Sequence, residues 1–166
     1  MRRHDYRFVP VTRADLPMLR GWLCQPHVAK WWRDADEEVA QIAQDLGSGP
    51  IDMRIVWADA PFAYLQDYDV ADFPSPRYAG LPEGTRGMDT FLGDPAYLGL
   101  GHGSGYLRQR VRQLHDAGTP VVAVDPDPAN AHAIAAYREA GFEGDRIIPC
   151  EGGERALILT ASASSG

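Results

Sequence analysis

The sequence predicts a single α/β domain built on one sheet with mixed strand directions. Three observations carry that reading. The chain has 166 residues, 45% of them hydrophobic, which is one domain at about 100–200 residues per domain. Strand-like and helical apolar periods alternate in the order β–α–α–β–β–β–α–β–α–β–β. A glycine-rich turn, Tyr97–Gly105, sits between a strand and a helix. The domain is expected to span residues 1–160, with 161–166 (ASASSG) as a flexible tail.

The elements follow in order. Tyr6–Val11 (YRFVPV) reads as a strand that Pro10 brings to its end. Thr12 is placed as an N-cap, with Asp15 three residues on as the carboxylate form of a capping box. Leu16, Leu19, Trp22 and Leu23 recur at helical spacing, so Arg13–Cys24 is an amphipathic helix that Pro26 breaks. The segment HVAKWW makes a short turn or helix, and Asp36–Leu46 is the next helix, stopped by Gly47, Gly49 and Pro50. Ile51–Ala58 and Phe62–Tyr68 flank Asp59-Ala60-Pro61 as an antiparallel hairpin. Residues 70–85 hold three prolines and two glycines and read as a long structured loop. Arg86–Leu92 is a strand, Gly103–Ala117 a helix, Pro120–Asp125 a strand and Asn130–Ala140 a helix. Strands around Phe142–Pro149 and Arg155–Thr160 close the domain.

Composition removes several function classes. The net charge of −7 opposes nucleic acid and anionic lipid and suits a cationic ligand. No run of about 18 apolar residues is available to span a membrane, and MRRHDYRFVPV lacks the apolar region of a signal peptide. Two cysteines, Cys24 and Cys150, make neither a disulfide framework nor a metal quartet, which fits a reducing cytoplasm. Lys30 is the one lysine, in AKWW with no glycine beside it, so a Walker loop and Schiff-base chemistry drop out. His4, His27, His102, His115 and His132 lack ligand spacing, and no metal is expected. His27 reads as a structural turn residue.

The segment Leu98-Gly99-Leu100-Gly101-His102-Gly103-Ser104-Gly105 carries the most information. Glycines there let successive backbone N–H groups approach an anion at a helix start. The dinucleotide pattern G-x-G-x-x-G fails, because Ser104 stands where its third glycine belongs. By itself the cluster reads either as an anion cradle or as a flexible turn. The residues downstream are Asn130, Ala133, Tyr137, Gly141 and Phe142, spaced N-x-x-A-x-x-x-Y-x-x-x-G-F.

Loop and downstream motif together resemble the GCN5-related N-acetyltransferase (GNAT) superfamily, whose R/Q-x-x-G-x-G/A loop binds the pyrophosphate of acetyl-CoA. Here Leu98 departs from the first position while Gly101 and Gly103 keep the glycines. The resemblance implies a GNAT fold, acetyl-CoA as cosubstrate on Leu98, Gly99, Gly101, His102, Gly103, Ser104 and Gly105, and Asn130 near CoA as well as capping its helix. It implies Tyr137 as the acid that protonates the departing thiolate; alone, such a tyrosine reads as packing. A backbone N–H near Leu98 or Gly99 is expected to polarise the thioester carbonyl.

Further upstream, Leu19-Arg20-Gly21-Trp22-Leu23, His27-Val28-Ala29-Lys30-Trp31-Trp32 and Arg86-Gly87-Met88-Asp89 resemble aminoglycoside 6′-N-acetyltransferases. That likeness implies a cationic acceptor and Asp89 as base or anchor for its amine; the other reading of Asp89 is an exposed strand face. Asp59, Asp67, Asp69, Asp72, Glu83, Asp89 and Asp94 outnumber Arg77 and Arg86, a local balance of −5. Polyamine sugars are held by such carboxylates and by aromatic faces, with Trp31, Trp32, Tyr64, Tyr68 and Tyr78 available. The other reading makes the carboxylates a solvated rim and the tryptophans core, and Trp32 is open between core and pocket. Asp67, Tyr68 and Asp125 complete the expected substrate contacts, Asp125 reaching an amine or starting the turn with Pro126. A siderophore precursor or a protein N-terminus is the alternative acceptor, and a non-catalytic CoA- or drug-sequestering module is a third reading. The assembly is expected to be a monomer or homodimer.

Overall fold

A computed structural model describes residues 5–47 and 49–164. Its strands are β1 (Arg7–Pro10), β2 (Ile51–Trp57), β3 (Pro61–Asp69), β4 (Arg86–Leu92), β5 (Val121–Val124), β6 (Glu143–Pro149) and β7 (Arg155–Ser162). The helices are α1 (Leu16–Leu23), α2 (Pro26–Ala29), α3 (Ala35–Asp45), α4 (His102–Asp116) and α5 (Ala131–Glu139). The strands form one mixed sheet in the order β1-β2-β3-β4-β5-β7-β6. The pair β4–β5 is parallel through Arg86–Val122 and Gly87–Ala123, while β1–β2, β5–β7 and β6–β7 are antiparallel. This is the expected mixed α/β architecture. The chain gathers into two compact units, residues 5–67 with 89–102, and residues 68–88 with 103–164.

In the first unit, Thr12 and Asp15 form the expected capping box, the Thr12 N–H donating to Asp15 Oδ2 at 2.8 Å. The helix predicted from Arg13 opens as a 3-10 turn over Arg13–Asp15, and α1 proper begins at Leu16. Pro17 explains the change, since it has no N–H to return to the carbonyl of residue 13. Asp34 starts α3 by accepting from the N–H groups of Asp36 and Glu37. The apolar faces of α1 and α3 meet β2, β3 and β4 in a core of Leu19, Trp22, Leu23, Ile42, Ile55, Tyr64 and Phe91.

The second unit buries all of β5, together with Tyr106, Leu107, Val111 and Leu114 from α4. A strand with no exposed residue has neighbours on both faces, hence the run Val-Val-Ala-Val without alternation. Strand β7 continues to Ser162, so the expected tail does not begin at residue 161. Ala161 pairs with Val122, and the Ala163 N–H donates to the Pro120 carbonyl at 2.9 Å. These bonds complete the ladder on a buried strand, which outweighs the weak strand propensity of ASAS. Residues 165–166 of that tail, and His4, lie outside the described residues.

Candidate active site

Asp89 lies at the middle of β4, half-buried. Its Oδ2 accepts from Gln66 Nε2 at 2.9 Å, and Gln66 Oε1 accepts from the Tyr64 hydroxyl at 2.6 Å. Tyr64 is wholly buried, and burial, reinforced by the charge of Asp89, raises its pKa far above the ordinary phenol value. The Thr90 hydroxyl donates to the Tyr64 carbonyl at 2.6 Å, fixing the two strands beside the carboxylate.

Asp67 is a correction. It is 0% exposed, so it belongs to no rim that an acceptor can touch. Successive strand side chains alternate faces, and Gln66, one residue earlier, is the one bonded to Asp89. Sequence reading missed Gln66, although the spacing Tyr64–Gln66 already put both side chains on one face.

The two tryptophans separate. Trp32 is half-buried and packs edge-on against Phe91 at 4.9 Å, on the border of the core. Trp31 is half-buried, with the Lys30 ammonium 5.1 Å from its ring, and retains an accessible face. His27 Nε2–H donates to the Leu92 carbonyl at 2.8 Å, tying α2 to the end of β4 in the structural role expected of it.

The glycine-rich segment has the backbone an anion cradle needs. Gly99 and Gly101 adopt φ of +74° and +82°, and a β-carbon on either would meet nothing within 4 Å. The space against these backbones is therefore open, as a pyrophosphate would require. Helix α4 starts at His102, so the N–H groups of His102, Gly103, Ser104 and Gly105 lie in its first turn, where the helix dipole favours an anion. Ser104 is buried. His102 Nδ1 and the Tyr6 hydroxyl share a hydrogen bond at 2.9 Å, and the imidazole sits among Tyr6, Phe62 and Tyr97. Just before the loop, Tyr97 donates its hydroxyl to Asp59 Oδ1 at 2.7 Å. That bond, with desolvation, raises the Tyr97 pKa to about 12. These side chains anchor the loop to β1 and to the β2–β3 turn.

In the second unit, Tyr137 is buried on α5 with its ring edge-on to Phe142 at 5.5 Å. Asn130 caps α5, Oδ1 accepting from the Ala133 N–H at 3.2 Å, as expected. The Tyr68 and Tyr78 hydroxyls are bonded at 2.9 Å. Asp125 is engaged by Arg77 rather than by the turn at Pro126. Burial raises the Asp125 pKa, and the hydrogen bond and charge of Arg77 oppose that rise. Any acceptor amine would have to displace a guanidinium there.

The acidic stretch is less available than its charge count implies. Asp69 accepts from the Ala71 N–H, Asp94 from the Ala96 N–H and Asp59 from Tyr97. Asp69 and Asp94 cap turns, and Asp59 holds the Tyr97 side chain. Among the described residues no group of three His, Cys, Asp or Glu side chains forms a metal site, and no helix is long and apolar enough to cross a membrane.

The Acetyltransferase (GNAT) domain family matches residues 11–149. Aminoglycoside N(6′)-acetyltransferase type 1 of Klebsiella pneumoniae is 29% identical over 159 residues, covering 90% of this chain and 79% of that protein. Among solved structures, AAC(6′)-Ib in complex with paromomycin and acetyl-CoA superposes with a TM-score of 0.81 at 25% identity, over 95% of this chain and 93% of that one. The same enzyme with coenzyme A and kanamycin gives a TM-score of 0.81 at 26% identity, over 95% of both chains.

Proposed function

The chain belongs to the acetyltransferase (GNAT) family and is an acyltransferase, and on that premise we propose that it acetylates the 6′-amine of aminoglycosides. The similarity to an aminoglycoside N(6′)-acetyltransferase over 90% of the chain carries the choice of acceptor. The half-buried carboxylate of Asp89 supports it chemically, because an ammonium needs an anion to hold it and a base to release it.

Acetyl-CoA supplies the acyl group as a thioester. The open backbones of Gly99 and Gly101 and the first-turn N–H groups of α4 hold its pyrophosphate. Asp89 binds the acceptor ammonium and takes its proton, leaving the nitrogen lone pair to attack the thioester carbon. As the N–C bond forms the C–S bond breaks, and Tyr137 gives its proton to the sulfur. The second proton shed by the nitrogen as the amide forms returns to Tyr137 through solvent, while Asp89 releases its own to solvent. A backbone N–H at Leu98 or Gly99 stabilises negative charge on the carbonyl oxygen. Trp31 offers a ring face to the sugar.

Replacement of Asp89 by Asn keeps the shape and removes the base. Turnover with kanamycin is expected to fall by about 10²-fold or more, with the melting temperature nearly unchanged. A rise in the kanamycin KM alone, with kcat preserved, would assign Asp89 to anchoring only.

A further inference from the structure

We propose that Gln66 is a positioning residue for acetyl transfer: its amide holds Asp89 in the orientation that meets the acceptor amine, and Tyr64 sets the orientation of that amide. The inference rests on the reading of Asp89 as base or anchor.

The direction of the chain follows from its donors and acceptors. An ionised carboxylate only accepts, so the Gln66 amide must turn its NH2 toward Asp89 Oδ2, 2.9 Å away. Oε1 then faces the other way and requires a donor. The Tyr64 hydroxyl provides it at 2.6 Å, and its raised pKa keeps it protonated. The Tyr64 ring is held in the core against Phe91 at 5.3 Å, and its carbonyl by Thr90. A bond path therefore runs from the hydrophobic core to one oxygen of the carboxylate.

The chemical type of the donor matters. The Gln66 amide is a neutral donor, so its bond orients the Asp89 carboxylate without bringing a counter-charge of its own. At Asp125 the donor is instead the guanidinium of Arg77, which brings one.

The test is a double-mutant cycle between Gln66→Leu and Asp89→Asn, read as kcat/KM for kanamycin and KM for acetyl-CoA. Gln66→Leu alone is expected to lower kcat/KM for kanamycin about tenfold or more, the worth of one hydrogen bond to a charged group, with KM for acetyl-CoA unchanged. In the Asp89→Asn background it should cost almost nothing further, because its effect passes through the lost carboxylate. Tyr64→Phe, which keeps the ring, should give a smaller loss of the same kind. If Gln66→Leu folds poorly, Gln66→Met carries the same comparison. Equal losses in both backgrounds, or no loss in the parent, would overturn the proposal while leaving Asp89 in place. Full turnover in Asp89→Asn would overturn the Asp89 reading and this inference together.

Discussion

Tyr68 lies directly over Gly87, so closely that a β-carbon at position 87 would stand 2.7 Å from its ring. The glycine of the Arg86-Gly87-Met88-Asp89 segment is thus explained two residues before the carboxylate: β4 carries no side chain where the aromatic of β3 crosses it. Gly87→Ala should push Tyr68 away from Tyr78, to which its hydroxyl is bonded. Overpacking of this kind costs about 1–3 kcal/mol, and denaturant unfolding of the variant measures it. An unchanged midpoint would mean that the ring moves aside freely.

Gly103 presents the opposite situation. Its nearest neighbour for an added β-carbon is Ala136 at 3.9 Å, so the fold tolerates a side chain there. Gly103→Val should therefore melt close to the parent while losing affinity for CoA, because the new methyl groups occupy space beside the first-turn N–H groups of α4. Calorimetric titration with CoA checks this, and an unchanged Kd in the folded variant would place the pyrophosphate elsewhere.

Much of this architecture is local, and local features are legible in sequence. Strand β4 runs Arg86–Leu92 as its apolar pattern predicts, Asn130 caps α5, and Thr12 with Asp15 begins the first helical segment. The pairings between distant residues are another matter. Arg77 reaches Asp125 across 48 residues and Tyr6 reaches His102 across 96, and no window of periodicity contains either contact. The charge of Asp67 groups it with the acidic rim, yet strand alternation buries it and turns Gln66 toward Asp89. Trp32 has a core reading and a pocket reading in the sequence, and its edge-on contact with Phe91 is one that no local pattern contains. Residue type indicates what a side chain is able to do, and the phase of its strand or helix decides whether it is in position to do it.

The Arg77–Asp125 pair has a pH signature. Asp125 carries a carboxyl whose native pKa is raised by burial, with Arg77 pulling it back down. Removal of the guanidinium in Arg77→Gln leaves burial opposed by a backbone hydrogen bond alone, so the native pKa should rise further. A native value above the unfolded one, about 4, means that the folded state holds the proton more tightly. The Asp125 contribution to stability is then lost as pH rises from the unfolded pKa through the native one. The variant should lose it over a wider interval than the parent. Carbon-13 NMR of the Asp125 carboxyl reads the titration directly, and a value no higher than in the parent would deny Arg77 its role.

Attraction of a polycationic acceptor to a chain of net charge −7 must weaken in salt. The Debye length falls from about 10 Å at 0.1 M to about 3 Å at 1 M. The KM for kanamycin is expected to rise with ionic strength while kcat holds, and the KM for acetyl-CoA to respond less. Steady-state kinetics across a salt series decide it. A kanamycin KM that ignores salt would remove long-range charge from recognition.

Acetylation of the 6′-amine is the central claim, and the most direct measurement is thiol release from acetyl-CoA with the product identified by NMR. Kanamycin should release one thiol per molecule and carry its acetyl group on the 6′-nitrogen, while an analogue with a hydroxyl at the 6′ position should bind without turning over. Acetylation at another amine, rapid turnover of the hydroxyl analogue, or turnover confined to peptides or hydroxylysine-type amines would contradict the account.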